Sequence, residues 1–301
     1  MQEPTFSLFL NFSASRTADL PILYNIFGLK SLLSSYRVYM DISYESFLKE
    51  GGVVLTLPRY RNRYEYTLQK LRNAGFENLR PFEGIDGFEA DLPKEMRELG
   101  FHGRFDEEIA DKPGHIACTL SHIKIWKMIV AEQLPYCLIF EDDALPHPEF
   151  CTLARTWWDL TPKTMDLVLI GNQMDTANKN LFDRSQYIVS QPAFCLHAYV
   201  LSQKGAQRLL ELTFSEPLMK MNDVQVARWM SEERINYVCW NGTWLSDRRY
   251  ETFTEHTPIQ SVKTDMIVER RDTGLIYQNF LLGHTLLHKN LVYNIVRYGV
   301  S

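Results

Sequence analysis

The stretch Tyr136-Cys137-Leu138-Ile139-Phe140-Glu141-Asp142-Asp143 limits the architecture of this chain more than any other. Five apolar or aromatic residues run straight into three consecutive carboxylates. Pro135 opens the run, and Pro146 and Pro148 close it. An apolar run that short between turn residues predicts a buried strand rather than a helix. The three acids at its end are not core, because unpaired buried carboxylates cost too much. In an open α/β sheet, ligands sit at the carboxyl ends of the strands. Hard oxygen ligands clustered there suit a divalent cation such as Mg²⁺ or Mn²⁺. The competing reading is a solvated acidic turn after a strand, and the rest of the chain has to decide.

Composition narrows the class. The chain has 301 residues, 45% hydrophobic and 23% charged, so it is globular with a sizeable core, as one large domain or two ordinary ones. A net charge of −5 argues against a nucleic-acid partner. Five cysteines, an odd count without close-paired spacing, fit neither a disulfide framework nor a zinc site. A reducing compartment is the simplest reading. Met1-Gln2-Glu3-Pro4 lacks the basic start of a signal peptide, and no apolar run approaches the roughly 18 residues that span a bilayer. The expectation is a cytoplasmic protein, or one peripheral to the inner face of a membrane.

Residues 1–50 form an N-terminal extension of short apolar runs broken by Pro21, Gly28 and serines, with no chemistry to assign. At Gly51-Gly52 the pattern changes, opening the main domain, expected over 51–265. Val53 to Leu57 reads as a β-branched strand ended by Pro58, with Arg59, Arg61 and Arg63 leading into a helix over Tyr64 to Asn73. A strand, a basic turn and a helix start make a cradle for phosphate or, alternatively, a solvated basic turn. Asn78 to Phe82 predicts a second strand, and Glu83-Gly84-Ile85-Asp86-Gly87 a tight loop presenting Asp86. Residues 88–112 are polar, a loop or short helix. From His115 to about Glu132 a helix is predicted, with Cys118, Ser121, His122 and Ile125 on one face. Ser121 and His122 there read as a hydrogen-bonded lock between helix and sheet.

Two segments together carry a resemblance. Gly114-His115-Ile116-Ala117-Cys118-Thr119-Leu120-Ser121-His122, followed by Leu134 to Asp143, resembles glycosyltransferase family 25. That family includes lipopolysaccharide and lipooligosaccharide galactosyltransferases and procollagen galactosyltransferases. Its pattern pairs G-x-x-G/A-C-x-L-S-H with an apolar strand and E-D-D. Leu57-Pro58-Arg59-Tyr60-Arg61-Asn62-Arg63 is similar to the family's N-L-x-R-x-x-R element, with Thr56 and Pro58 in place of the usual Asn and Asp. Gly84-Ile85-Asp86-Gly87 is similar to its A-V-D-G, and His197 to Leu209 to its A-Y-x-x-S-x-x-G-A-x-x-L. The likeness runs from about residue 52 to about 225.

The resemblance implies a GT-A-like (Rossmann-related) α/β fold with a mixed, mostly parallel sheet flanked by helices. It implies a metal-dependent, inverting transferase that moves a sugar, galactose first of all, from a UDP-sugar to a hydroxyl. The acceptor would be a glycan, a lipid-linked saccharide or a hydroxylysine-type protein. Mn²⁺ or Mg²⁺ would be held by Glu141 and Asp143, with His256 as a third ligand; alternate residues of an extended segment share one face. Thr56, Arg59, Arg63, Asp86, Ser121, His122 and Asp142 would bind the donor, the arginines at its diphosphate and Asp86 at the nucleoside. Asp223, at the start of a helix running through Trp229-Met230, would be the catalytic base; otherwise it is an acid favoured by the helix dipole. Residues 266–301 are expected to form a helical tail. Leu281, Leu282, Leu286, Leu291, Val292 and Ile295, with Lys289 and Arg297 and no acids over 276–298, make a helix that packs on protein or lies on an anionic membrane. The alternative function is a catalytically silent relative that binds glycan or protein.

Overall fold

The computed structural model describes residues 43–147, 149–174, 187–190, 192–241 and 259–261. Along the chain come α1 (Tyr44–Lys49), β1 (Gly52–Thr56), a 3₁₀ turn (Pro58–Tyr60), α2 (Arg61–Asn73), β2 (Leu79–Glu83), α3 (Leu92–Leu99), β3 (Arg104–Phe105) and α4 (Glu107–Ala110). Then follow α5 (Pro113–Ala131), β4 (Tyr136–Glu141), β5 (Ala144–Pro146), α6 (Phe150–Leu160), β6 (Leu167–Met174), β7 (Ile188–Val189) and β8 (Ala193–Ser202). The last are α7 (Gln203–Ser215), β9 (Leu218–Met219), α8 (Asn222–Ser231), β10 (Tyr237–Trp240) and β11 (Ile259–Ser261).

Among the described residues, seven strands form one sheet in the order β2-β1-β4-β8-β6-β10-β7. β1, β2, β4, β6 and β10 run one way; β8 and β7 run against them. The sheet is therefore mixed and mostly parallel in direction, with helices on both faces, and it fits a GT-A-like fold. Covered faces explain why β4 is apolar at successive positions rather than alternately. Its side chains part by the two-residue period of a strand. Cys137 and Ile139 enter a core with Leu120, Ile123 and Trp126 of α5 and Leu209 of α7. Leu138 and Phe140 enter the opposite core with Leu68 and Leu71 of α2 and Trp157 and Trp158 of α6. The second core is aromatic: Phe47 of α1 stacks on Trp158 at 3.9 Å between centroids, and Trp157 on Trp240 at 5.5 Å. Phe47 thus fastens α1, in the least legible part of the sequence, to the sheet.

Local chemistry sets the boundaries. The Ser202 hydroxyl accepts from the Gly205 N–H at 2.9 Å and caps α7. Gly75 follows α2 at φ +96°, a conformation that favours glycine. The expected polar stretch 88–112 holds more order than a loop. Asp91 caps α3 through the Lys94 N–H, and β3 pairs in parallel with β9. Gly87 has no room for a Cβ, which would meet the Pro113 carbonyl oxygen at 2.3 Å, so the Gly84–Gly87 loop lies against the start of α5. After the acids, β5 pairs antiparallel with β11. No helix among the described residues is long and apolar enough to cross a membrane. His256 and the segment 276–301 lie outside the described residues.

Candidate active site

The three acids leave β4 at the carboxyl edge and divide by strand alternation. Glu141, in phase with Cys137 and Ile139, points to α5; Asp142, in phase with Leu138 and Phe140, points to α2. Asp142 is the most enclosed, its side chain 9% exposed, against 15% for Asp143 and 27% for Glu141. Its Oδ1 pairs with Arg63 Nη2 at 2.6 Å, and its Oδ2 accepts from Thr56 Oγ1 at 2.7 Å. The Asp142 carbonyl accepts from Thr67 Oγ1 at 2.6 Å, and its N–H donates to the Leu55 carbonyl at 3.0 Å. Burial, seconded by Glu141, raises the Asp142 pKa despite Arg63 and Thr56. Asp142 is a strut that ties β4 to β1 and α2.

Arg63 serves the same junction. It is nearly buried, lies 3.9 Å from Asp143 as well as bonding Asp142, and sits 4.9 Å from the Tyr60 ring. Arg59 is more open. It forms an ion pair with Asp86 and lies 4.9 Å from Tyr60 and 5.7 Å from the exposed Phe88 ring. Asp86 Oδ1 also accepts from the Phe88 N–H at 3.0 Å. The two arginines are thus separated in role: Arg63 braces the acids, and the more exposed Arg59 pairs with Asp86. Ser121 accepts from the Ile85 N–H at 2.8 Å and donates to the Ala117 carbonyl at 2.7 Å, locking the Gly84–Gly87 loop to α5.

On the α5 side, Glu141 Oε1 lies 3.0 Å from His122 Nε2 and 4.0 Å from Cys118 Sγ. His122 is fully buried; its Nδ1 is 2.8 Å from the Tyr199 hydroxyl, which accepts from Trp126 Nε1 at 3.0 Å. Burial pushes the Glu141 pKa up, but the His122 bond and charge, with His197 and Arg63, outweigh it and leave the carboxyl below its ordinary range. The Cys118 thiol is pushed well above its ordinary value by burial and then by Glu141, Asp223 and Asp143. Across the strand pair, Phe140 opposite Ala198 sets Glu141 beside His197 of β8. His197 Nε2 meets the Ile259 carbonyl at 2.7 Å, and burial lowers its pKa against that bond, Glu141 and Asp223. Gly171 makes this approach possible, since a Cβ there would meet His197 Nε2 at 2.5 Å.

Asp223 reaches the same edge from the first turn of α8. Its Oδ2 accepts from the Cys195 N–H at 3.1 Å and its Oδ1 from the Val224 N–H at 2.8 Å. Cys195 takes φ +68°, an uncommon conformation for a non-glycine residue, at the start of β8. The Asp223 charge is a lesser cause raising the pKa of both Cys118 and His197. Three residues of this edge carry no role in the sequence reading: Cys118, His197 and Tyr199. The signals for them were present but weak: the Cys118/His122 spacing of four on a helix, and His197 two places before Tyr199.

Comparison with known proteins agrees with this geometry. The sequence profile of glycosyltransferase family 25 (LPS biosynthesis protein) matches residues 57–224, more than half of the chain. A Haemophilus influenzae protein named "Putative glycosyltransferase" is 26% identical over 198 residues, which cover 62% of this chain and 65% of that protein. Procollagen galactosyltransferase 1-A of Xenopus laevis is 32% identical over 114 residues, 36% of this chain and 18% of the relative. A human relative, "Inactive glycosyltransferase 25 family member 3", is 31% identical over 113 residues, 36% of this chain and 18% of its own. The chain thus spans a little under two thirds of the first relative's length and under a fifth of the other two. On the extent of the profile match, the chain belongs to glycosyltransferase family 25.

Proposed function

We propose that this chain is a metal-dependent, inverting glycosyltransferase that moves galactose from a UDP donor to a hydroxyl of a glycan, lipid-linked saccharide or hydroxylated protein. One observation carries the reading. Glu141 and Asp143 stand at the end of β4, and Asp223 of α8 accepts from the N–H of Cys195, two residues before the His197 that the β4–β8 register sets beside Glu141. Three carboxylates from two distant parts of the chain thus converge at the carboxyl edge, where α/β sheets bind ligands.

A hard divalent cation fits that donor set. Glu141 and Asp143 carry the more open carboxylates, whereas Asp142 is committed to Arg63 and Thr56. When bound, Mn²⁺ or Mg²⁺ would act as a Lewis acid against the charge that builds on the departing diphosphate. The partly exposed Arg59 would offer a guanidinium to that diphosphate, and Asp86 beside it a carboxylate to ribose hydroxyls. Arg63 holds the acidic turn in place rather than reaching the donor. Asp223 is the base that takes the acceptor's proton as its oxygen attacks the anomeric carbon. The two backbone N–H groups on Asp223 fix its orientation for that task.

A silent relative is the second reading, because a protein named inactive matches in the same range of identity. One experiment separates them: a panel of UDP- and GDP-sugars is incubated with the chain, with Mn²⁺ or with chelator, and nucleoside diphosphate release is measured. The transferase reading expects Mn²⁺-dependent release from UDP-galactose above other donors. Equal, background release from every donor would leave the silent reading.

A further inference from the structure

We propose that Cys118, His122 and Glu141 form a binding site for a thiophilic divalent cation, zinc first of all. The site goes beyond the transferase reading, in which Cys118 has no part, and shares only Glu141 with it. Cys118 and His122 stand four apart on α5 and project from one face. Glu141 meets them from the end of β4. The three donor atoms lie within 4.8 Å of one another, with Sγ to Oε1 at 4.0 Å and Nε2 to Oε1 at 3.0 Å. Tetrahedral zinc, with bonds of about 2.3 Å to sulfur and about 2.0–2.2 Å to nitrogen and oxygen, sets its ligand atoms roughly 3.3–3.6 Å apart. Relative to Glu141, the sulfur has to close in by about half an ångström and the imidazole to open by a few tenths, and the sulfur and imidazole, within 4.8 Å of each other, have to close by up to about 1.2 Å.

The surroundings favour the same occupant. Sulfur and imidazole select borderline and soft cations over Mg²⁺. The Tyr199 hydroxyl on Nδ1, itself held by Trp126, fixes the His122 ring with Nε2 toward Glu141. An outer partner of this kind is what metal-binding histidines use to set ring and tautomer. The Glu141 carboxylate lies 4.0 Å from the sulfur, so a dication between the two gains where a bare thiolate would face that acid. On binding, the Cys118 thiol gives its proton to solvent, and the imidazole moves its proton from Nε2, where it meets Glu141, to Nδ1, facing the Tyr199 oxygen.

Cobalt is the probe. The full chain, stripped with chelator, is titrated with Co²⁺ and followed by absorption. The expected result is one equivalent bound with tetrahedral visible bands and a near-ultraviolet thiolate-to-cobalt band, all bleached by Zn²⁺. Cys118→Ser removes the thiolate band, and Cys151→Ser, which alters the exposed thiol on α6, leaves it. A measurement without variants reads the same point: Zn²⁺ slows alkylation of Cys118 by about tenfold or more and leaves Cys151 unaffected, because only the free thiolate reacts. Absence of the thiolate band, its survival in Cys118→Ser, or Cys118 labelling indifferent to zinc overturns the proposal. Sugar-nucleotide turnover is scored separately. Cobalt binding without turnover fails the transferase reading alone, and turnover without the thiolate band fails the zinc site alone.

Discussion

On the α2 side of the end of β4, Asp142 meets Arg63, Thr56 and Thr67, and its charge is used up in holding three elements together. On the α5 side, Glu141 meets His122 and Cys118, a set that can exchange a proton for a cation. Adjacent carboxylates in one motif thus have opposite uses, and strand alternation decides which is which. Where a helix brings an arginine and hydroxyls, the acid becomes structure. Where it brings imidazole and sulfur, the acid remains available for chemistry.

The largest break in this contrast comes on the α2 side. Arg63→Ala leaves Asp142 buried without its cation and is expected to cost about 3–5 kcal/mol, read from urea denaturation. Tyr199→Phe strikes the α5 side by removing the hydroxyl shared by His122 and Trp126. It should cost about 1–3 kcal/mol in the same measurement, since two buried ring nitrogens lose a partner. Thr67→Val removes only the bond to the Asp142 carbonyl and should cost about 1 kcal/mol. The smallest effect is in pH. Glu141 is depressed in the folded chain, so its stabilisation is present above the ordinary carboxylate range and is lost as pH falls through its lowered folded value. Asp142 is raised, so its own term runs the other way. Stability of wild type relative to Glu141→Gln is therefore greatest near neutrality and shrinks on acidification. A difference that grew toward low pH would reverse the assignment.

Much of the frame is legible in the sequence. The apolar run before Glu141, the helix over Cys118 and His122, and the Ser202 cap each follow from period and capping chemistry, which are local. The illegible parts are non-local. Which of three consecutive acids turns to which helix depends on the helices that cover each face. The Arg59–Asp86 pair joins two loops, and His197 gains meaning only because Gly171 lets Ile259 approach it. The cysteine count is the instructive case. Sequence spacing fits no zinc site, because zinc spacing rules look for paired cysteines along the chain. Here one cysteine and one histidine lie on a helix, and their third partner waits at the end of a strand.

The most direct test compares three variants in Mn²⁺-dependent UDP release from UDP-galactose, each normalised to its folded fraction. The account predicts that Asp223→Asn and Asp143→Asn lose about 10²–10⁴-fold in kcat, the range expected for a lost catalytic base or charge-stabilising group. Asp142→Asn should instead show its main defect as a lower urea midpoint. Full turnover in Asp143→Asn or Asp223→Asn, with collapse confined to Asp142→Asn at unchanged stability, would contradict it.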